Sequence, residues 1–423
     1  MRYVGIAFLF LFVLTTESSG QKKTAEPVPF GYHFTSKKQK VAHIPFEIHS
    51  NLLVIKITID QSDTLRFILD TGVSSTIITD PEVAQKIGYK YVRTVAITGA
   101  GEGEPLMAQV SIGHTLRLGD VQAFQQNLVV LNEDILHLSD FMGIPIHGIF
   151  GYDLFNTFVV TIDYENKELF LRSNESFSPR PRRYGTSYPM TVTQSKPYIE
   201  SMSISVKDST TKPVRLVIDT GAGHALLLNQ ESENGTLPLP SKVIRANLGR
   251  GLNGDISGHV GRVQTVKIGS LKLHNVLASF PDEASFGTKF LAQEQSRQGS
   301  VGGEFLRRFR VTFDYRGGRL FLKPNKPRVR EPFEHDMSGL EIRGKNKDLS
   351  QVYIQKVVES SPADEAGLQP GDELVFINNQ RVTDLTLSEI YKLLSSKEGR
   401  EIELFVRRNE EVIFAYFRLK RFI

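Results

Sequence analysis

Asp70-Thr71-Gly72 and Asp219-Thr220-Gly221 are the two places in this sequence where residue type and surroundings suit chemistry. Each triplet closes a continuous apolar run, Phe67-Ile68-Leu69 in one case and Leu216-Val217-Ile218 in the other. A carboxylate at the end of a buried strand, followed by a glycine that permits an abrupt turn, is held rigidly. Two such carboxylates brought to about 3 Å share one proton, because both cannot be ionised at once, and one residue type then supplies a general base and a general acid. One Asp-Thr-Gly is expected by chance about once in several thousand residues, so two in matching contexts are a strong signal. Other chemistries are closed off by composition. With Cys 0 there is no thiolate nucleophile, disulfide framework, iron-sulfur cluster or Cys-based zinc site. The His residues, 10 in all, lack the HExxH spacing of a metallopeptidase helix.

The elements that must position the two triplets come from an internal duplication. Downstream of each triplet, Gly99-Ala100-Gly101 matches Gly249-Arg250-Gly251, and Leu118-Gly119 matches Ile268-Gly269. Gly148-Ile149-Phe150-Gly151 matches Gly299-Ser300-Val301-Gly302, and Asp163-Tyr164 matches Asp314-Tyr315. All landmarks keep one order, at offsets of 149 to 151. Within each copy the pattern is of short strands, as at 53–59, 159–162 and 168–171, and long amphipathic helix patterns are absent. Each copy is therefore expected to be mostly β. Proline-broken polar stretches at 176–183 and 323–332 read as linkers, and a length of 423 residues suggests several units, each burying its own core.

On these motifs the duplicated unit resembles the aspartic peptidases, specifically the retropepsin-like lobes common in secreted bacterial proteins, over about residues 41–324. The resemblance implies that Asp70 and Asp219 are catalytic and that Thr71, Gly72, Thr220 and Gly221 support the catalytic turns, with the threonines cross-bracing them. It makes 149–151 and 300–302 the apolar-Gly segments that thread beside those turns. The Gly-rich segments, with Gly99, Gly101 and Gly103 in one copy and Gly249, Gly251 and Gly254 in the other, become flap hairpins that close over a bound peptide. The second spells GxGxxG, but residues 255–261 do not suit the helix that a dinucleotide phosphate needs. The implied reaction needs no cofactor. Water between Asp70 and Asp219 attacks the scissile carbonyl, and sequence leaves open which carboxyl carries the proton. Pepsins carry Ser or Thr after the triplet. Here Val73 and Ala222 offer no side-chain donor, so the dyad is expected to hold its proton to higher pH and cleavage to peak at roughly pH 5 to 6.5.

The last block differs in kind. Ser361-Pro362-Ala363, Ala366-Gly367-Leu368 and Pro370-Gly371-Asp372, followed by a helix with Leu387, Ile390, Leu393 and Leu394 on one face, resemble a PDZ domain. Such a domain adds an extended peptide as a strand beside Leu340, Glu341 and Ile342, with Ile390 and Leu394 across the groove and the amides of Ser338 and Gly339 receiving a C-terminal carboxylate. The alternative is a domain that only packs on the catalytic lobes.

At the start, Arg2, an apolar run over 4–14 and Ser18-Ser19-Gly20 read as an export signal over 1–20. An eleven-residue run is too short for a hydrocarbon core that needs about 20 residues, and no later stretch is apolar and long enough to span a membrane. Lys plus Arg of 51 against Asp plus Glu of 47 leaves a net charge of +4, too small a surplus for a dedicated nucleic-acid binder. The expected organisation is a signal peptide over 1–20, an extension over 21–40, protease lobes over 41–178 and 185–325, and a PDZ domain over 334–423. The expected fold is mainly β, with two pseudo-symmetric retropepsin-like lobes of acid-protease type and an α+β PDZ domain in the form of a partly open barrel. The expected function is that of an exported aspartic endopeptidase, periplasmic or extracellular in a bacterium, acting on peptides or proteins. The alternative is a non-catalytic exported peptide binder using the same cleft and the PDZ groove. His224 is expected to be structural, and Asp163 and Asp314 to serve turns.

Overall fold

Strands buried on both faces need unbroken apolar runs, and the runs that precede the two Asp-Thr-Gly triplets fold accordingly. The computed structural model describes residues 29–88, 90–101, 103–207, 211–230, 237–283, 297–345, 349 and 351–423. The expected export signal and the first part of the 21–40 extension lie outside the described residues. Strand Leu65–Leu69 leads into Asp70 and pairs in parallel with Gly148–Phe150, Phe67 opposite Gly148 and Leu69 opposite Phe150. In the second copy Lys212–Ile218 leads into Asp219 and pairs with Gly299–Val301 in the same sense, Leu216 opposite Gly299 and Ile218 opposite Val301. Each copy also projects a long hairpin, Tyr91–Ile97 with Leu106–Leu118 and Val243–Gly251 with Gly254–Ile268.

The two copies do not bury separate cores. Strand Val159–Asp163 of the first pairs with Phe309–Asp314 of the second, Val160 opposite Phe313, so one sheet runs through both. On the pseudo-twofold axis Thr161 and Thr312 hydrogen-bond through their hydroxyls at 2.8 Å. A single apolar cluster then spans both copies, with Phe67, Phe150, Phe155, Phe280, Phe305 and Phe313 fully buried. The expectation of independent lobe cores is corrected here: a shared sheet gives the two halves no interface to separate at.

The C-terminal part has its own core and an antiparallel sheet in the order Leu340–Lys345, Gln351–Val357, Glu373–Ile377, Glu401–Arg408, Glu411–Arg418. Its helix Leu387–Leu394 starts in a capping box, Thr386 accepting from the Glu389 amide while Glu389 accepts from the Thr386 amide. The molecule is mainly β throughout, two retropepsin-like β lobes followed by a PDZ domain.

Both expected linkers are anchored. Tyr184, after the first, is buried against Phe177 and Phe321. The second is held by Arg308, whose side chain is fully buried. Its guanidinium donates to Glu304 Oε1 at 2.8 Å and to the backbone carbonyls of Arg328, Glu331 and Pro332, and lies 3.5 Å from the Phe333 ring centroid.

Candidate active site

The turns that follow the two buried strands meet at the lobe junction. Thr71 N–H donates to Thr220 Oγ1 at 3.1 Å, and Thr220 N–H donates to Thr71 Oγ1 at 3.0 Å. Each hydroxyl donates onward into the opposite lobe, Thr71 Oγ1 to the Ile218 carbonyl at 2.6 Å and Thr220 Oγ1 to the Leu69 carbonyl at 2.8 Å. Both threonines are fully buried. The four bonds tie one turn to the other, so neither carboxylate can move without its partner. The segments 149–151 and 300–302 lie behind the turns, where the Asp70 amide donates to the Phe150 carbonyl at 2.9 Å and the Asp219 amide to the Val301 carbonyl at 2.8 Å.

Asp70 and Asp219 are half-buried and face each other across the junction: a Cβ at Gly72 would fall 3.0 Å from Asp70 Oδ1 and 3.6 Å from Asp219 Oδ1. Gly72 N–H donates to Asp70 Oδ1 at 2.5 Å and Gly221 N–H to Asp219 Oδ1 at 3.0 Å. Burial, and then the charge of Asp219, push the Asp70 carboxyl up to about 8. Burial also raises Asp219, against the opposing field of Arg297. The two titrate as one pair with a proton between them. Close approach is what demands glycine here: a Cβ at Gly221 would overlap the Asp70 carboxyl, and one at Gly151 would overlap the Asp70 carbonyl oxygen. Gly221→Ala is therefore expected to lower kcat/KM about 100-fold, the usual effect of roughly 1 Å of misplacement. Steady-state kinetics on a folded variant, with folding checked by circular dichroism, test this.

A cavity of 2580 Å³ opens over the dyad, lined by both carboxyl groups, Gly99, Leu252 and Arg297 among others. The two Gly-rich hairpin tips meet above it. Asn253 Oδ1 accepts from Gly99 N–H and its Nδ2 donates to the Glu104 carbonyl, both at 2.5 Å, while its backbone N–H donates to the Ala100 carbonyl at 2.9 Å. Gly103 N–H donates to the Asn253 carbonyl. The hairpin ends holding Gly99, Gly101 and Gly103 and those holding Gly249, Gly251 and Gly254 thus form a clasped roof, with Asn253, a residue the sequence reading did not single out, at its centre. His224 is half-buried. Its Nε2 lies 3.0 Å from Ser300 Oγ, and burial with the nearby Arg297 charge holds its imidazole down to about 3, which makes it a neutral packing group.

The PDZ residues are brought together, but the groups expected to receive a peptide already have partners within the chain. Asp336 fills the expected carboxylate site from within: Ser338 N–H and Oγ–H donate to its Oδ1 at 3.2 and 2.6 Å, and Gly339 N–H to its Oδ2 at 2.6 Å. Leu340 N–H is taken by Ser338 Oγ at 3.1 Å. The free edge of strand Leu340–Lys345, where a peptide would add, is capped at Ile342, whose N–H donates to Tyr391 Oη and whose carbonyl accepts from it, both at 3.0 Å. Leu340, Ile342, Ile390 and Leu394 are buried in the domain's own core, and Glu341 lies 3.6 Å from Arg343. The face carrying these groups is turned onto the first lobe, with Arg343 5.0 Å from the Phe141 ring centroid.

A Ser-His-Asp array also went unread in the sequence. Ser111 Oγ lies 2.6 Å from His114 Nε2, and His114 Nδ1 lies 2.7 Å from Asp60 Oδ2. Ser111 is fully buried and its Oγ accepts the Lys90 N–H at 3.0 Å, so no substrate carbonyl reaches it. The array braces the hairpin. Among the described residues no cluster of His, Asp and Glu is arranged to hold a metal ion.

A duplicated β lobe, each half ending a buried strand in Asp-Thr-Gly at a shared junction, defines the retropepsin-like class. The aspartyl protease family model matches residues 55–154 and again 202–305, and the PDZ domain family model matches 353–408. The chain thus carries a duplicated aspartyl protease domain and a C-terminal PDZ domain, which supports a peptidase. Curated relatives match over short stretches. A probable CtpA-like serine protease of Staphylococcus haemolyticus (strain JCSC1435) is 31% identical over 98 residues, 20% of each protein. Tight junction protein ZO-3 of Canis lupus familiaris is 36% identical over 75 residues, 18% of this chain and 8% of that protein. A probable CtpA-like serine protease of Staphylococcus aureus (strain COL) is 32% identical over 73 residues, 17% of this chain and 14% of the relative. The chain spans a fifth or less of the length of these relatives.

Proposed function

We propose that this protein is an exported aspartic endopeptidase. The observation that carries the reading is the Asp70–Asp219 pair, held face to face and locked by the Thr71–Thr220 cross-brace under a clasped roof. A water held between the two carboxyl groups attacks the scissile carbonyl. The ionised carboxyl takes its proton, the protonated one donates to the carbonyl oxygen, and the proton shared at the start is restored when the amine leaves. The flap tips around Asn253 must part to admit an extended peptide and close again to exclude water. Export is inferred from residues 1–20 alone. A pure peptide binder is disfavoured because two mutually repelling carboxyls held side by side cost stability and add nothing to binding.

The reading implies an aspartic catalytic type and a mildly acidic pH dependence. Serine chemistry is set aside because Ser111 is sealed, so Ser111→Ala is expected to keep kcat/KM within about threefold, whereas a statine-type transition-state mimic should abolish cleavage. At the dyad, Oδ1 of each carboxyl accepts from a backbone amide, that of Gly72 or of Gly221, with nothing from the side chains of Val73 or Ala222. Activity should peak at roughly pH 5 to 6.5 with an upper limb running toward neutral pH, in keeping with a carboxyl pushed up to about 8. Ala222→Ser, which adds a donor to the ionised form, should move that limb to lower pH. A profile of kcat/KM against pH checks both. An optimum below about pH 4, or full activity in the presence of the mimic with loss in Ser111→Ala, would overturn the assignment.

A further inference from the structure

The turn between strands Val41–His49 and Leu52–Ile59 sits where both lobes and the PDZ domain meet. Its two residues, Ser50 and Asn51, hold left-handed φ of 48° and 65°. Asn tolerates this region and Ser does so less readily, so the turn is fixed by what surrounds it. On the inner side Asn51 Nδ2 donates to the Gly223 carbonyl at 3.2 Å, two residues past the glycine of the second triplet. The Asn51 carbonyl abuts Gly303 so closely that a Cβ there would overlap it. Gly303 follows the segment whose Val301 carbonyl receives the Asp219 amide at 2.8 Å. On the outer side Ser50 N–H donates to Ser388 Oγ of the PDZ helix at 3.0 Å, and Leu387 of that helix packs onto Gly143 of the first lobe. The helix is itself fixed by its capping box, by Ile390 and Leu394 in the PDZ core, and by Tyr391 on the Ile342 edge.

A continuous path of hydrogen bonds therefore leads from a separate domain to the turn that carries one of the two carboxyls. The usual ligand-receiving groups of that domain are meanwhile satisfied within the chain, by Asp336 and Tyr391. We propose that the PDZ domain serves the catalytic centre in cis, with Ser388 acting through Ser50 and Asn51 as a strut that positions the second catalytic turn at residues 221–223. Ser388 and Asn51 are positioning residues, and the proposal rests on the reading of Asp219 as catalytic.

The test uses the full-length protein and the variants Ser388→Ala, Ser388→Thr, Asn51→Gly and the double variant. Glycine at 51 keeps the left-handed turn and removes the side-chain donor. Two readouts are taken: hydrogen exchange of the segment 216–226, and kcat and KM on a short peptide. Ser388→Ala and Asn51→Gly should each speed exchange of the 219–223 amides about fivefold or more and lower kcat about tenfold with KM within about twofold. The double variant should be no worse than the worse single one, because both cut the same path, and Ser388→Thr should restore most of the loss. Unchanged exchange at 219–223 in both single variants, a loss confined to KM, or additive losses would overturn the proposal. If the wild-type protein cleaves no peptide, the peptidase reading falls while the exchange data still decide the strut.

Discussion

Asp70→Asn is expected to melt at a higher temperature than the wild type at pH 7 while cleaving peptides at least about 1,000-fold more slowly. The activity loss follows from removing half of an acid–base pair whose contribution is typically about 10²–10⁴-fold. The stability gain follows from linkage. In the folded protein the Asp70 carboxyl is pushed up to about 8 from an ordinary 3.8. The folded state therefore binds a proton that the unfolded chain has released, so stability present below about pH 4 is lost as pH rises toward 8. Asparagine is neutral at every pH and escapes that loss. Calorimetry at pH 3.5 and pH 7 should show nearly equal midpoints at the lower pH and a gap at the higher one. Equal midpoints at both would mean that burial does not raise this carboxyl.

The second large effect is at Arg308. Its guanidinium is fully buried and serves a carboxylate and three linker carbonyls at once, while stacking on Phe333. Arg308→Met fills similar volume and deprives all of them. Glu304 keeps Arg307 as a partner, at 2.6 Å, but the carbonyls of Arg328, Glu331 and Pro332 lose this donor, at about 0.5–1.5 kcal/mol for each hydrogen bond. A loss of about 2–4 kcal/mol in urea unfolding is expected, with new proteolytic cleavage within 328–333. A change below about 1 kcal/mol with an unaltered digestion pattern would show that Phe333 and its neighbours hold the linker without it.

The parts of this molecule that the sequence reveals are the ones encoded locally and twice. Asp70 and Asp219, with their threonines and glycines, stand out because each triplet ends an apolar run in the same slot of a repeat. The joining of Val160 to Phe313 in one sheet has no such signature, since it pairs chain segments 151 positions apart at Thr161 and Thr312. The Ser111–His114 pair is hidden for a geometric reason: residues three apart point to opposite faces of a regular strand. Here the register shifts between Ser111 and His114, with Gly113 at φ 84°, and this irregularity turns both side chains to the same side. Asp336 could have been found, because an Asp followed by Ser338 and Gly339 is the pattern of a side chain that hydrogen-bonds amides two and three residues on. Nothing local marks Tyr391, whose partner Ile342 is 49 positions away, or Ser388, whose role depends on which face of the PDZ domain meets the first lobe.

The central claim is that the Asp70–Asp219 pair hydrolyses peptide bonds, and cleavage of a mixed peptide library, read by mass spectrometry at about pH 5.5, tests it most directly. Wild-type protein should give discrete internal cleavages that a statine-type mimic suppresses, and these should be absent from Asp219→Asn at equal folded concentration. Cleavages that persist unchanged in Asp219→Asn, or a well-folded wild-type protein that cuts nothing across the library, would contradict the account.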